Sequence, residues 1–214
     1  MDPGYHRGRL MTDEGGDPSL PYRGEIWRKA LHLLSLCIPV GLLILGRPTA
    51  LYILLPVAGI FVVSEVLRSR SQAVRDLIWK GFGFMMRAEE IPQAPAPLRF
   101  NGATWVLLGA CVVVALFEPP VAAAAMVIGL IGDAAAALAG RRFGKHPLGM
   151  RGKSIEGTIA FVVAALAAVA FVPGLAPLGV GTAVIVAALV EGFGTPVNDN
   201  LAVPLAAGIV LTLL

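Results

Sequence analysis

The chain has 214 residues, 57% apolar and 14% charged, with a mean hydropathy of +0.78, where a typical soluble domain carries about 25% charged residues. That deficit excludes an ordinary soluble globule and a disordered chain, and the length leaves room for about seven spans of roughly 20 apolar residues each. A net charge of +3 would raise the question of nucleic acid in a soluble protein, but in a membrane protein the placement of basic residues matters more than their sum.

In chain order, residues 1–24 are rich in Gly, Pro and charge, lack an apolar period, and read as a mobile cytoplasmic tail. Residues 25–214 read as one membrane domain. Candidate spans run roughly Ala30–Gly46, Thr49–Val66, Gly102–Phe117, Pro119–Leu138, Ile155–Val172, Leu178–Val190 and Leu201–Leu214. The first run follows an acidic tail and has no small-residue cleavage pattern after it, so it reads as a retained span and not a signal peptide. The expected fold is all-α, a polytopic bundle of about seven transmembrane helices. Cys37 and Cys111 both fall in apolar runs, which predicts burial as small hydrophobes and no disulfide or thiolate metal site.

With the N-terminus inside, all but one of the 17 Lys and Arg residues fall in cytoplasmic segments, Arg47 being the exception. The expected topology is therefore N-inside and C-outside, in the plasma membrane. Within residues 67–101, Val74, Leu77, Ile78, Phe82 and Met85 recur at helical spacing, with Arg75, Asp76 and Lys80 off that stripe. The pattern predicts an amphipathic helix lying in the cytoplasmic interface, ended by the Pro-rich stretch 91–97. It either caps the bundle or helps to admit a lipid substrate.

Ionisable residues at spans are costly and mark candidate sites. Glu25, Arg28, Lys29 and His32 stand at i, i+3, i+4 and i+7, on one face of the first membrane helix. Snorkelling and topology determination account for the first three equally well, and His32 could bond a neighbouring helix. Glu65 ends the second span, Asp133 lies in the cytoplasmic end of the fourth, Glu156 opens the fifth, and Glu191 and Asp199 bracket the last inside loop. Asp133, alone in an apolar run, needs a partner, and a cation or Mg²⁺ would serve.

Residues 129–157 carry the most information. Gly132 and the alanines at 134–137 predict close helix packing beside Asp133. Arg141, Arg142, Lys145, Arg151 and Lys153 predict a basic loop able to neutralise a polyphosphate. Ser154 is the expected N-cap of the next helix, whose free N–H groups add an anion site. An acidic ligand, a cationic loop and a helix N-terminus together suit Mg²⁺-nucleotide chemistry. Gly152-Lys153-Ser154 looks like the end of a Walker A loop, but its earlier glycine would fall at Pro147 and no strand precedes it, which excludes a P-loop. In the last inside loop, Asn198 or Asp199 can cap the final helix. Capping does not account for Asn198, Asp199 and Asn200 together with Glu191, which predicts a second ligand cluster.

These pieces, in order, resemble a known family, the CTP-dependent lipid-alcohol kinases, which include dolichol, phytol and farnesol kinases and the fungal CTP-dependent diacylglycerol kinase. The matching motifs are Glu25-x-x-Arg28-Lys29-x-x-His32, Arg87-x-Glu89 with Asn101-Gly-Ala-Thr104, Gly132-Asp133 with Gly140-Arg-Arg-Phe-Gly144, Lys153-Ser-Ile-Glu-Gly157, and Glu191 with Asp199-Asn200-Leu-x-x-Pro204. The resemblance implies phosphoryl transfer from CTP to the hydroxyl of a polyprenol, phytol or diacylglycerol. The related CDP-diacylglycerol synthases share the middle motifs, so phosphatidate cytidylyl transfer is the alternative. Their C-terminal Lys-Asp, His-Gly-Gly and Asp-Arg signature is absent here, and Asp199-Asn200-Leu201 with Pro204 looks like the kinases. A small transporter is a third reading, disfavoured because the acids sit at one membrane edge and no internal repeat is visible.

The expected roles follow. Asp133, with Glu191 and Asp199, holds Mg²⁺, and Lys153, Arg141, Arg142, Lys145, Ser154 and Asn200 bind the nucleotide. Asp133, Lys153, Glu156 and Asp199 form the catalytic set, with Glu156 or Asp199 accepting the hydroxyl proton. Glu25, Arg28, Lys29, His32 and Arg87 face the lipid alcohol, which enters from the bilayer. No nucleic-acid partner is expected, and the oligomeric state stays open, a homodimer included.

Overall fold

The computed structural model describes residues 22–85, 98–149 and 152–214. Arg87, Arg151 and the Pro-rich stretch lie outside them, as does the tail up to residue 21. The described fold is all-α apart from one short hairpin. Its helices are α1 (Tyr22–Leu34), α2 (Cys37–Arg70), α3 (Gln72–Phe82) with a 3₁₀ turn at Gly83–Met85, α4 (Gly102–Leu116) and α5 (Pro119–Phe143). After the antiparallel hairpin β1 (Pro147–Leu148) and β2 (Lys153–Ser154) come α6 (Ile155–Val169), α7 (Pro177–Phe193) and α8 (Asp199–Leu213).

Local chemistry sets the boundaries. Gly46 at φ 77° and ψ 166° breaks α2, a conformation open to glycine and closed to residues with a Cβ. Pro48 follows at the start of the next helical stretch, where a missing N–H does no harm. Asn101 caps α4 through a hydrogen bond accepted from Thr104 N at 2.9 Å. Ser154 caps α6 from Gly157 N at 3.1 Å, and Asn198 caps α8 from Asn200 N at 3.0 Å.

Helix α5 is the axis of the bundle, touching α1, α2, α4, α6, α7 and α8. Its Ala122–Ala125 stretch is wholly buried, because small side chains let helix backbones approach when every surrounding medium is equally apolar. One tight contact is with α6, where a Cβ on Gly132 would sit 2.5 Å from the Phe161 ring. A second lies between α4 and α8, where a Cβ on Gly109 would meet the Asn200 carbonyl oxygen at 2.4 Å. Gly132 thus has the packing role its sequence context predicts.

Outward faces are apolar: Ile44, Tyr52, Ile60, Val163, Phe171 and Leu213 are all exposed. Among the described residues, two helical stretches, Tyr22–Arg70 and Pro119–Phe143, are long and apolar enough to cross a membrane by length and composition. Four further apolar helices are shorter.

Several expectations are corrected. Helix α1 begins at Tyr22, inside the expected tail, and α5 runs on to Phe143, so Arg141 and Arg142 lie in its last turn and not in a loop. The C-terminal arginines favour this extension by offsetting the negative end of the helix dipole. Cys37 is exposed and only Cys111 is buried; both are free thiols. The amphipathic stripe forms α3, where Leu77, Trp79 and Phe82 are exposed.

Candidate functional site

The residues that the sequence scatters over 175 positions are gathered by α5. Glu25 and Lys29 point from α1 into the bundle and are 1% and 3% exposed. Lys29 Nζ donates to Asp133 Oδ2 on α5, and His32 Nε2 lies 3.4 Å from that same oxygen. Among the described residues His32 Nε2 has no hydrogen-bond partner. Asp133 therefore has the partner that its apolar context demands, and that partner is a lysine from the first helix.

Glu25 holds two guanidinium groups. Arg28 donates from Nε to Glu25 Oε2 at 3.2 Å, and Arg141 Nη1 lies 3.5 Å from the same oxygen. One buried carboxylate thus fixes a pair of arginines drawn from the start of α1 and the end of α5. A Cβ on Gly102 would lie 3.9 Å from Asn200 Nδ2 and 4.0 Å from Arg28 Nη1. The start of α4 and the start of α8 therefore meet beside that pair.

The hairpin delivers a fourth cation. Lys153 Nζ donates to Glu191 on α7 and to Asp199 Oδ2 on α8 at 3.3 Å. Burial disfavours its ammonium, but the adjoining Glu191 and Asp199 carboxylates outweigh that and raise its pKa above the ordinary lysine value. Lys153 therefore stays charged at physiological pH. Glu191 is 2% exposed and is held by this lysine, whereas Asp199 Oδ1 is buried with no partner among the described residues.

The glycines of the middle motifs are packing elements. A Cβ on Gly140 or Gly144 would come within 3.1 or 2.9 Å of Ser154 Oγ, and one on Gly157 within 2.9 Å of the Ala136 carbonyl. The motifs thereby seat the N-cap of α6 against the end of α5. Ser154 Oγ itself is occupied by capping.

Three expected residues lie elsewhere. Glu156 bonds His146, 2.7 Å from Nδ1, and fastens the base of the hairpin. The Arg142 guanidinium sits 5.6 Å from the Phe143 ring centroid, and Lys145 is exposed. Brought together are Glu25, Arg28, Lys29, His32, Asp133, Arg141, Lys153, Glu191, Asp199 and Asn200. The sequence reading missed the His146–Glu156 link, which no helical spacing announces. It also left Glu65 without a partner. That partner is Arg68 at i+3, which donates to Glu65 Oε2 at 2.7 Å and to the Arg99 carbonyl at 3.1 Å.

Asp133, Asp199 and Asn200 also border a cavity of about 20 Å³ between α2, α4, α5 and α8. No group of three or more His, Cys, Asp or Glu residues suited to a metal ion occurs among the described residues. A pair of carboxylates beside a cavity, one with an oxygen that has no partner among the described residues, nevertheless fits Mg²⁺, which takes one or two carboxylates and fills its shell with water and phosphate oxygens.

No family model matches the chain, and no solved structure matches it. An uncharacterized protein of Rickettsia prowazekii (strain Madrid E) is 26% identical over 190 residues, covering 84% of this chain and 89% of that protein.

Proposed function

We propose that this chain is an integral membrane kinase that transfers the γ-phosphoryl group of CTP to the hydroxyl of a lipid alcohol of the polyprenol, phytol or diacylglycerol type. The observation that carries the reading is the convergence of Lys29, Asp133, Lys153, Glu191 and Asp199, from five separate elements, into one charged cluster at an end of an apolar bundle. Arg47 pairs with Glu118 just before α5, fifteen residues, or about 22 Å along that helix, from Asp133. A chain with its charges sorted this way suits an active site at the cytoplasmic face of the plasma membrane, about seven spans and an internal N-terminus. CTP as donor rests on the motif resemblance.

Phosphoryl transfer calls for positioning and charge neutralisation more than covalent chemistry. Lys153 and Arg141 bind the phosphates, beside the first-turn N–H groups of α6. Asp133 and Asp199 would hold Mg²⁺, which when bound neutralises charge on the triphosphate, while Glu191 fixes Lys153. The alcohol oxygen bonds to the γ-phosphorus as the bond from that phosphorus to the bridging oxygen breaks. The hydroxyl proton passes to Asp199 and CDP leaves. Lys29 and His32 position Asp133.

The test uses purified protein in detergent with Mg²⁺, lipid alcohols and phosphatidate, and CTP labelled on either the α- or the γ-phosphate. Label from the γ-position in the lipid product is expected. Label from the α-position would establish cytidylyl transfer instead, and no labelled lipid would defeat both readings.

A further inference from the structure

Three residues of the matching motifs, Glu25, Arg28 and Gly102, have no part in the transfer step above, and they meet. Glu25 is 1% exposed yet lies against two cations. Arg28 donates to both of its oxygens, from Nε and from Nη2, a side-on pairing that engages two of the five guanidinium N–H groups and fixes the plane of the rest. Its Nη1 lies at the start of α4, 4.0 Å from the point that a Cβ on Gly102 would occupy. Asn200 Nδ2, from the first turn of α8, lies 3.9 Å from the same point. Apart from the adjoining backbone of α4, no other atom of the described residues comes within 4 Å of it.

Any residue but glycine would fill that point. With glycine there, a space the size of a methyl group is bordered by two N–H donors, one of them cationic, at the positive end of the α4 dipole. An apolar occupant would strand both donors, and an oxyanion would satisfy both. Arg141 Nη1, 3.5 Å from Glu25 Oε2, brings a second guanidinium to the same carboxylate, and both guanidiniums stay partly open to solvent.

From this geometry we infer that Arg28, Asn200 and the bare backbone at Gly102 form a phosphate site with Arg141 beside it, and that Glu25 is the positioning residue that sets both guanidiniums. One phosphate oxygen takes the space over Gly102 and accepts from Arg28 Nη1 and Asn200 Nδ2. Only N–H groups border this space, which separates it by sign from the carboxylates suited to Mg²⁺. The ligand is a phosphate group, carried by a polyphosphate or by a phosphorylated lipid. Its part in phosphoryl transfer rests on the kinase reading, whereas the site rests on the geometry alone.

The purified protein is melted in detergent with EDTA, which keeps Mg²⁺ from Asp133 and Asp199, and with inorganic pyrophosphate or n-decyl phosphate. Expected is a rise of about 2–4 °C with at least one of them. Pyrophosphate alone marks a nucleotide phosphate, decyl phosphate alone a lipid phosphate, and both together a site open to either; a rise with neither overturns the site. Gly102→Ala puts a methyl group into the space at ordinary contact distance and replaces a poor helix former with a good one, so it should fold and lose the rise. Arg28→Lys keeps the charge without the fork and should lose it too. Arg142→Gln removes an equal charge from a side chain that rests over Phe143, and should keep it. An undiminished rise in Gly102→Ala, or a lost one in Arg142→Gln, overturns the site. Glu25→Gln tests the positioning role by sign. Removing a negative charge strengthens anion binding if net charge alone governs it, whereas a lost strut weakens it. An equal or larger rise in folded Glu25→Gln therefore refutes that role. Should that variant fail to fold, Glu25→Asp decides, because it keeps the charge but withdraws the carboxylate by one methylene. The labelled-nucleotide assay separates the two claims. Phosphate binding with this pattern but no transfer would leave the site and remove the kinase, and transfer with unchanged kcat and KM in Arg28→Lys and Gly102→Ala would do the reverse.

Discussion

Two buried ionic regions at the same end of the bundle are built differently. Glu65 and Arg68 sit three residues apart on one helix, are 2% and 5% exposed, and the guanidinium also bonds the Arg99 carbonyl. The other region joins Lys29 to Asp133 and Lys153 to Glu191 and Asp199 across five elements. Among the described residues it leaves His32 Nε2 and Asp199 Oδ1 without hydrogen-bond partners, and it borders a cavity. A buried polar network that is complete holds chain segments in place, and one with unmatched atoms marks where a ligand completes it. The first region ties the end of α2 to the segment leading into α4. The second is the candidate for chemistry.

The largest expected effect separates them directly. Asp133→Asn should lower phosphoryl transfer at least ~1,000-fold, about 4 kcal/mol of transition-state stabilisation, and cooling should not restore it. Recovery of turnover at low temperature would show that Asp133 is merely structural. Next, Glu65→Gln strands the Arg68 charge and should destabilise the fold by about 3 kcal/mol. Below the lowered melting temperature its kcat and KM should match the wild type, and a changed KM would move this pair into the active site. Ser154→Ala removes the cap of α6, at a cost of about 1 kcal/mol in thermal or denaturant unfolding. Smallest of all, Glu156→Gln should change turnover by no more than about twofold, since exposed ion pairs contribute little. A loss approaching that of Asp133→Asn would make Glu156, and not Asp199, the proton acceptor.

Helical spacing and capping rules made much of this legible. The shared face of Glu25, Arg28, Lys29 and His32, the caps at Ser154 and Asn198 and the close packing at Gly132 all follow from local rules. What stayed hidden was pairwise geometry. Lys29 and Asp133 are 104 positions apart, and no periodicity says which cation answers which carboxylate. Arg141 and Arg142 are adjacent and chemically equivalent, yet a helix separates neighbours by about 100°. One therefore reaches Glu25, while the other rests over Phe143. Glu156 misled because an acid at a helix start has two uses, and its bond to His146 depends on the hairpin closing. Cys37 misled because an apolar run does not say which of its sides meets protein.

The crossing of α4 and α8 has a consequence for inheritance of defects. Pro204 has no N–H to offer the Asn200 carbonyl one turn earlier, and that carbonyl lies where a Cβ on Gly109 would have to go. The first turn of α8, which carries Asp199, therefore has one backbone hydrogen bond fewer to the next turn and rests against the surface of α4. Any side chain at position 109 would tilt a carboxylate it never touches. A substitution in the middle of an apolar helix would then surface as a defect in the charged cluster at the end of the bundle.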